Sequence, residues 1–125
     1  MRLRVARHTA NLEPIIRFYG DILGLEVIGS FEDHDGYNGI FLGIKGAGWH
    51  LEFTTSAQQP QHQTDEDDLL VFYQQTEADH EVLKQKFAAN NIKPVTAKNP
   101  YWNANGICYT DPDGYMIVIA IAGIY

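Results

Sequence analysis

"GICYTDPDGYMIVIA", residues 106–120, reads as a short apolar strand, an Asp-Pro-Asp-Gly turn at Asp111 to Gly114, and a second apolar strand. Another stretch of the chain is built the same way. "GIFLGIKGAGWHLEF", residues 39–53, also opens on Gly-Ile, turns at glycine and continues aromatic-X-aliphatic-X. With one extra residue allowed in its turn, Gly48 matches Gly114, Trp49 matches Tyr115, Leu51 matches Ile117, and Glu52 matches Val118. A hairpin that occurs twice predicts a duplicated module. Two copies fall short of the roughly three that a stacked solenoid needs.

Working outward, each hairpin is preceded by the same order of elements. In the first half "LRVARHT" reads as a strand. Asn11 then caps a helix whose apolar positions Leu12, Ile15, Ile16, Tyr19, Ile22 and Leu23 share a face. Pro14 falls in the first turn, where a missing N–H does little harm, and Gly24 stops the helix. The strands "LEVIGSF", "GIFLGI" and "WHLEFTT" follow. "SAQQPQHQTDEDD" carries Pro60 and no periodicity, and reads as a solvated linker. The order then restarts with the strand "LLVFY". Thr76 and Asp79 open a second helix that presents Val82, Leu83 and Phe87, and Asn90-Asn91 closes it. "KPVTA", "NGICYT" and "YMIVIAI" supply three further strands. The expectation is one domain over residues 1–125, with a module at about 1–55, a linker at about 56–66 and a second module at about 67–125. Matching the two helix starts sets Arg4 opposite Asp68.

The totals narrow the function. A chain of 125 residues closes one core of ordinary size. A formal charge of -7 with only nine Lys and Arg residues points away from nucleic acid. No apolar run approaches the roughly 18 residues of a membrane span. "MRLRVARH" has charge without an apolar segment behind it, and Cys108 is the lone cysteine, so a soluble cytoplasmic protein is expected.

Through "NLEPIIRFYGDILGLEV" and "DPDGYMIVI", the chain resembles the vicinal oxygen chelate superfamily, which includes glyoxalase I, extradiol dioxygenases, fosfomycin-resistance enzymes and bleomycin-resistance binding proteins. The resemblance implies an α+β fold. Two paired βαβββ modules would form a curved mixed sheet with a concave cleft for the site, often as a homodimer. Metal-dependent members place histidines and glutamates on the first and last strands of each module, positions carried here by Arg4, Glu52, Asp68 and Val118. Guanidinium has no lone pair to give and valine has no donor atom, so the inherited position is expected to hold no metal.

Candidate ligand-binding residues are Arg4, His8, His50, Glu52, Asp68, Trp102 and Val118. Arg4 with Glu52 and Asp68 reads either as a grip for a substrate carboxylate or phosphate, or as an ion network standing in for the missing metal. Strand parity also allows a shifted site for nickel, zinc, manganese or iron from His50 and Glu52 with His8 or Asp68; the plainer reading is that His50 bonds a neighbouring carboxylate. Trp102 in "NPYWNANG" and Tyr37 in "HDGYNG" sit in turn-rich stretches suited to a ligand or a partner, or to capping the core. His34, His62 and His80 are expected in solvent, Cys108 packed, and Asp111 and Asp113 confined to their turn. Arg7 stands where relatives usually carry an aliphatic residue, and the sequence offers no account of it. The first functional expectation is binding or sequestering a small organic molecule. The alternatives are a metal-dependent lyase, dioxygenase or resistance transferase with a non-standard ligand set, and a structural or regulatory domain whose cup is filled by its own side chains.

Overall fold

Strand register shows how each half is assembled around its repeated hairpin. A computed structural model describes residues 1–123, in two units: Met1–His62, and a second that begins at Gln63. In the first, strands β1 (Leu3–His8), β2 (Glu26–His34), β3 (Tyr37–Gly43) and β4 (Trp49–Thr55) lie in the order β1-β4-β3-β2. β1 runs parallel to β4, and the other pairs are antiparallel. In the second, β5 (Leu69–Gln74), β6 (Ile107–Thr110) and β7 (Met116–Ile121) lie in the order β5-β7-β6, with β5 parallel to β7. The order of the first sheet is therefore repeated, short of one strand. "KPVTA" forms only a single bridge, Val95 to Cys108, where a full strand was expected. Pro94 has no N–H to offer a ladder, which is one reason the pairing stops there.

The first helix, α1, is α-helical over Leu12–Ile15 and continues as a π-helix over Ile16–Ile22. Asn11 caps it by accepting from the Glu13 N–H at 3.0 Å. Gly24 ends it at φ +94, a left-handed conformation that costs glycine nothing. The expected positions Ile15, Tyr19, Ile22 and Leu23 are buried, and Phe18 joins them. They close against Ile40, Leu42, Leu51 and Phe53, whose alternation on β3 and β4 sends them to one face of the sheet. Each such side chain is worth about 1.5–3 kcal/mol when fully buried.

Helix α2 (Glu77–Ala89) starts where Thr76 accepts from the Asp79 N–H at 3.1 Å, and it ends at Asn90 with Asn91 left-handed at φ 59. Its inward stripe is His80, Leu83, Lys84 and Phe87. Val82, expected inside, is 56% exposed because it lies about 100° round the helix from Leu83. Phe87 stacks on Tyr109 at 3.9 Å between ring centres. Asp111 closes the hairpin turn as expected. Its carboxylate accepts from the Asp113 and Tyr115 N–H groups, both at 2.9 Å, and Gly114 takes φ +91.

Candidate functional site

On the sheet face away from α1, the first unit brings three polar candidates together. Arg4 and His50 are paired across β1 and β4, and Glu52 lies two residues further on, on the same face. The Arg4 Nε–H donates to His50 Nε2 at 2.9 Å, and Nη1 lies 3.7 Å from Glu52 Oε2. The guanidinium carbon sits 4.6 Å from the centre of the Phe41 ring, and that ring meets the edge of His50 at 5.8 Å. Because guanidinium only donates, His50 Nε2 accepts and the ring carries its hydrogen on Nδ1. The Arg4 side chain is 51% exposed and that of Glu52 15% exposed. Phe41 was missed in the sequence, although it pairs directly with Glu52 across β3 and β4. Aligning the two halves of that hairpin at its turn would have placed the ring on this face.

His8 shares the face but is tied into another network. Its Nε2 lies 3.0 Å from the Gln58 carbonyl and 3.1 Å from Ser56 Oγ, and its Nδ1 lies 3.0 Å from Thr54 Oγ1. A carbonyl only accepts, so Nε2 bears the hydrogen, and in the neutral ring the Thr54 hydroxyl donates to Nδ1. Tyr37, 47% exposed, meets His8 edge to face at 5.9 Å.

The donor set does not suit a divalent metal. His50 spends its Nε2 lone pair on Arg4, and both ring nitrogens of His8 are engaged. Among the described residues, no group of three His, Cys, Asp or Glu side chains can hold a metal ion.

In the second unit the equivalent face is apolar and roofed by its own chain. Met116 pairs with Leu69 as His50 pairs with Arg4, and Val118 pairs with Val71 as Glu52 pairs with Ala6. The counterpart of Arg4 is thus Leu69. Asp68, set opposite Arg4 in the sequence reading, is one residue out of register, exposed just before β5. Val118 is fully buried with Ala97, Cys108 and Ala120, and Leu69, Val71, Val95, Trp102 and Met116 pack on this cluster.

"NPYWNANG", expected as loop, is largely helical: α3 spans Pro100–Asn105. Asn99 caps it by accepting from the Tyr101 N–H, and the Asn103 amide both accepts from Ala97 N at 2.8 Å and donates to Ala97 O at 2.9 Å. The asparagines that looked like turn residues are cap and clamp, and they seat Trp102 on the apolar cluster instead of in a loop.

Two other side chains also find partners. Arg7 lies on the α1 side of the first sheet, where Nη2 donates to the Tyr19 hydroxyl at 3.3 Å and the guanidinium faces Phe53 at 5.2 Å. His80, expected in solvent, is half-buried and donates from Nδ1 to Gln74 Oε1 at 2.8 Å. Burial, helped by Lys84, pulls its pKa down against the opposing pull of Glu81. Burial also pushes the Cys108 thiol and the Tyr109 phenol up.

Two family models match the chain, the YycE-like N-terminal domain over residues 3–54 and the YycE-like C-terminal domain over residues 67–120. This chain belongs to the YycE-like family. The uncharacterized protein YycE of Bacillus subtilis (strain 168) is 38% identical over 122 residues, 94% of this chain and 85% of that protein. The crystal structure of a B. subtilis YycE protein, of unknown function and named as a candidate glyoxalase/fosfomycin resistance protein, matches with a TM-score of 0.88 at 36% identity, over 99% of this chain and 91% of that one. Glyoxalase I of Leishmania major matches with a TM-score of 0.75 at 19% identity, over 97% and 86%. TnmS3, an antibiotic binding protein from a Streptomyces species, matches with a TM-score of 0.68 at 17% identity, over 98% and 96%. This YycE-like chain thus has the α+β vicinal oxygen chelate fold of two βαβββ modules, the second with its third module position reduced to the Val95 bridge. No helix among its described residues is long and apolar enough to cross a membrane.

Proposed function

We propose that this YycE-like protein binds a small organic molecule on the sheet face that carries Arg4, His50 and Glu52, and does so without a divalent metal there. The observation that carries the reading is the 2.9 Å bond from Arg4 Nε to His50 Nε2. It uses the lone pair a metal would need and sets a fixed positive charge beside Glu52. The half-exposed guanidinium remains able to meet a ligand. A Streptomyces neighbour of the same fold, named as an antibiotic binding protein, supports a binding reading.

The test is metal analysis of protein purified without chelator, followed by thermal unfolding with nickel, zinc, manganese and iron(II). No ion is expected to bind stoichiometrically or raise the midpoint. A stoichiometric ion ligated by Glu52 would overturn the reading in favour of the metal-dependent enzyme to which the glyoxalase/fosfomycin resistance description of the B. subtilis relative points.

A cytoplasmic homodimer belongs to the same reading. The lone cysteine needs no oxidising compartment, and β1 is an edge of the first sheet that leaves Leu3 59% and Val5 39% exposed. Sedimentation equilibrium checks the dimer, and a mass of one chain would remove it.

A further inference from the structure

We infer that the ligand is an uncharged, planar aromatic compound carrying a carbonyl oxygen; the inference rests on the Arg4 face being a binding site. Two features of the first sheet converge on that chemistry. One is a platform of rings. Phe31 fills the space that a side chain at Gly39 would need, since a Cβ there would come within 2.3 Å of the ring, and Phe41 lies 3.0 Å from where a Gly29 Cβ would stand. Glycine at both positions lets the rings settle onto the sheet, with centres 5.9 Å apart and both half-buried. The two rings are tilted 44° to each other, His50 stands at 86° to Phe41, and the guanidinium lies over Phe41, so the ring left to a flat ligand is Phe31, beside the ring that the arginine covers.

The other feature is charge. The Arg4 cation stands beside the Glu52 carboxylate, and His50 is neutral while it accepts from Arg4, so the cluster carries no net formal charge. A ligand carboxylate would approach Glu52 within a chain whose net charge is -7. A carbonyl oxygen meets no such repulsion. Arg4 commits Nε to His50 and leans Nη1 toward Glu52, and among the described residues Nη2 has no acceptor. Nη2 is the donor that a carbonyl at the rim of a stacked ring would take. The side-on fork that grips carboxylates needs Nε, which is already spent.

The experiment is an amide-resolved NMR titration of the full chain with 2-naphthamide, 2-naphthoate and cyclohexanecarboxamide. The expected result is that 2-naphthamide binds at least about tenfold tighter than either other probe, a difference of about 1.4 kcal/mol, with shifts centred on Phe31, Phe41 and Arg4. Glu52→Gln, which leaves the cluster positive, should move the ratio about tenfold toward 2-naphthoate. Phe31→Leu should weaken 2-naphthamide while leaving cyclohexanecarboxamide unchanged. The inference is overturned if 2-naphthoate binds at least as well as the amide, if Glu52→Gln leaves their ratio unchanged, or if the shifts fall elsewhere. A preference for anionic or aliphatic probes on this same face would remove the ligand class and spare the site, whereas a stoichiometric metal on Glu52 would remove the site itself.

Discussion

Arg4 and His50 face each other on adjacent parallel strands, and the guanidinium Nε–H is bonded to the imidazole Nε2 at 2.9 Å. The arginine draws a histidine and a carboxylate together around a positive charge. Unlike a metal, it offers no open coordination position to a substrate oxygen.

Nitrogen NMR should find the His50 hydrogen on Nδ1 and not on Nε2. Arg4→His frees Nε2 and adds a second imidazole beside it, so this variant, unlike the unaltered protein, is expected to gain thermal stability with nickel. At a free metal concentration about 100 times the dissociation constant, the gain is about 2.7 kcal/mol. An unfolding midpoint unmoved by nickel would show that the arginine was not what excluded the ion.

Glu52→Gln should barely change stability. The Arg4 to Glu52 approach of 3.7 Å is longer than a hydrogen bond and the arginine side chain is half-exposed, so screening leaves at most about 1 kcal/mol to lose. Urea denaturation checks this. A larger loss would mean that Glu52 holds the sheet together and that its place at the site is incidental.

Val118→Glu places a carboxylate at the position matching Glu52, yet it should destabilise the protein by about 3 kcal/mol or more and confer no metal affinity. The side chain is fully buried, and a Cβ on Gly106 would already come within 2.6 Å of it, so there is neither room nor solvent for a charge. Denaturant midpoints with and without nickel measure both parts.

His80 should make stability fall with acidity. Its pKa is lowered in the folded protein by burial first and then by Lys84, so the unfolded chain takes up the proton sooner as pH drops. The contribution is whole above the ordinary histidine value of 6.5 and is lost as pH falls from there to the lower folded value. His80→Gln keeps a polar partner for Gln74 and should flatten that part of the curve of unfolding free energy against pH. An unchanged slope would assign the acid sensitivity to other groups.

The duplicated hairpin was readable because turn chemistry and strand alternation are local. Asp111, Gly114, Asn11 and Thr76 act in the structure as their residue types suggest. The slip from Leu69 to Asp68 had a remedy in the sequence, since matching the caps Asn11 and Thr76 to each other sets Arg4 against Leu69. Pairing across β1 and β4 was harder to see. These strands are parallel and separated by the whole helix and two further strands, and no short-range pattern reports which residues meet.

By itself, the sequence determined the repeated module and the family, because each depends on residue identity and spacing along the chain. Only the tertiary structure decided that Arg4 takes the His50 lone pair, that Phe31 and Phe41 lie over glycines, and that Trp102 packs on the apolar cluster of the second sheet. The physical reason is that hydrogen bonds and ring contacts are set by separations of a few ångströms between residues dozens of positions apart, and register, helix capping and the packing of α3 fix those separations only once the chain has folded.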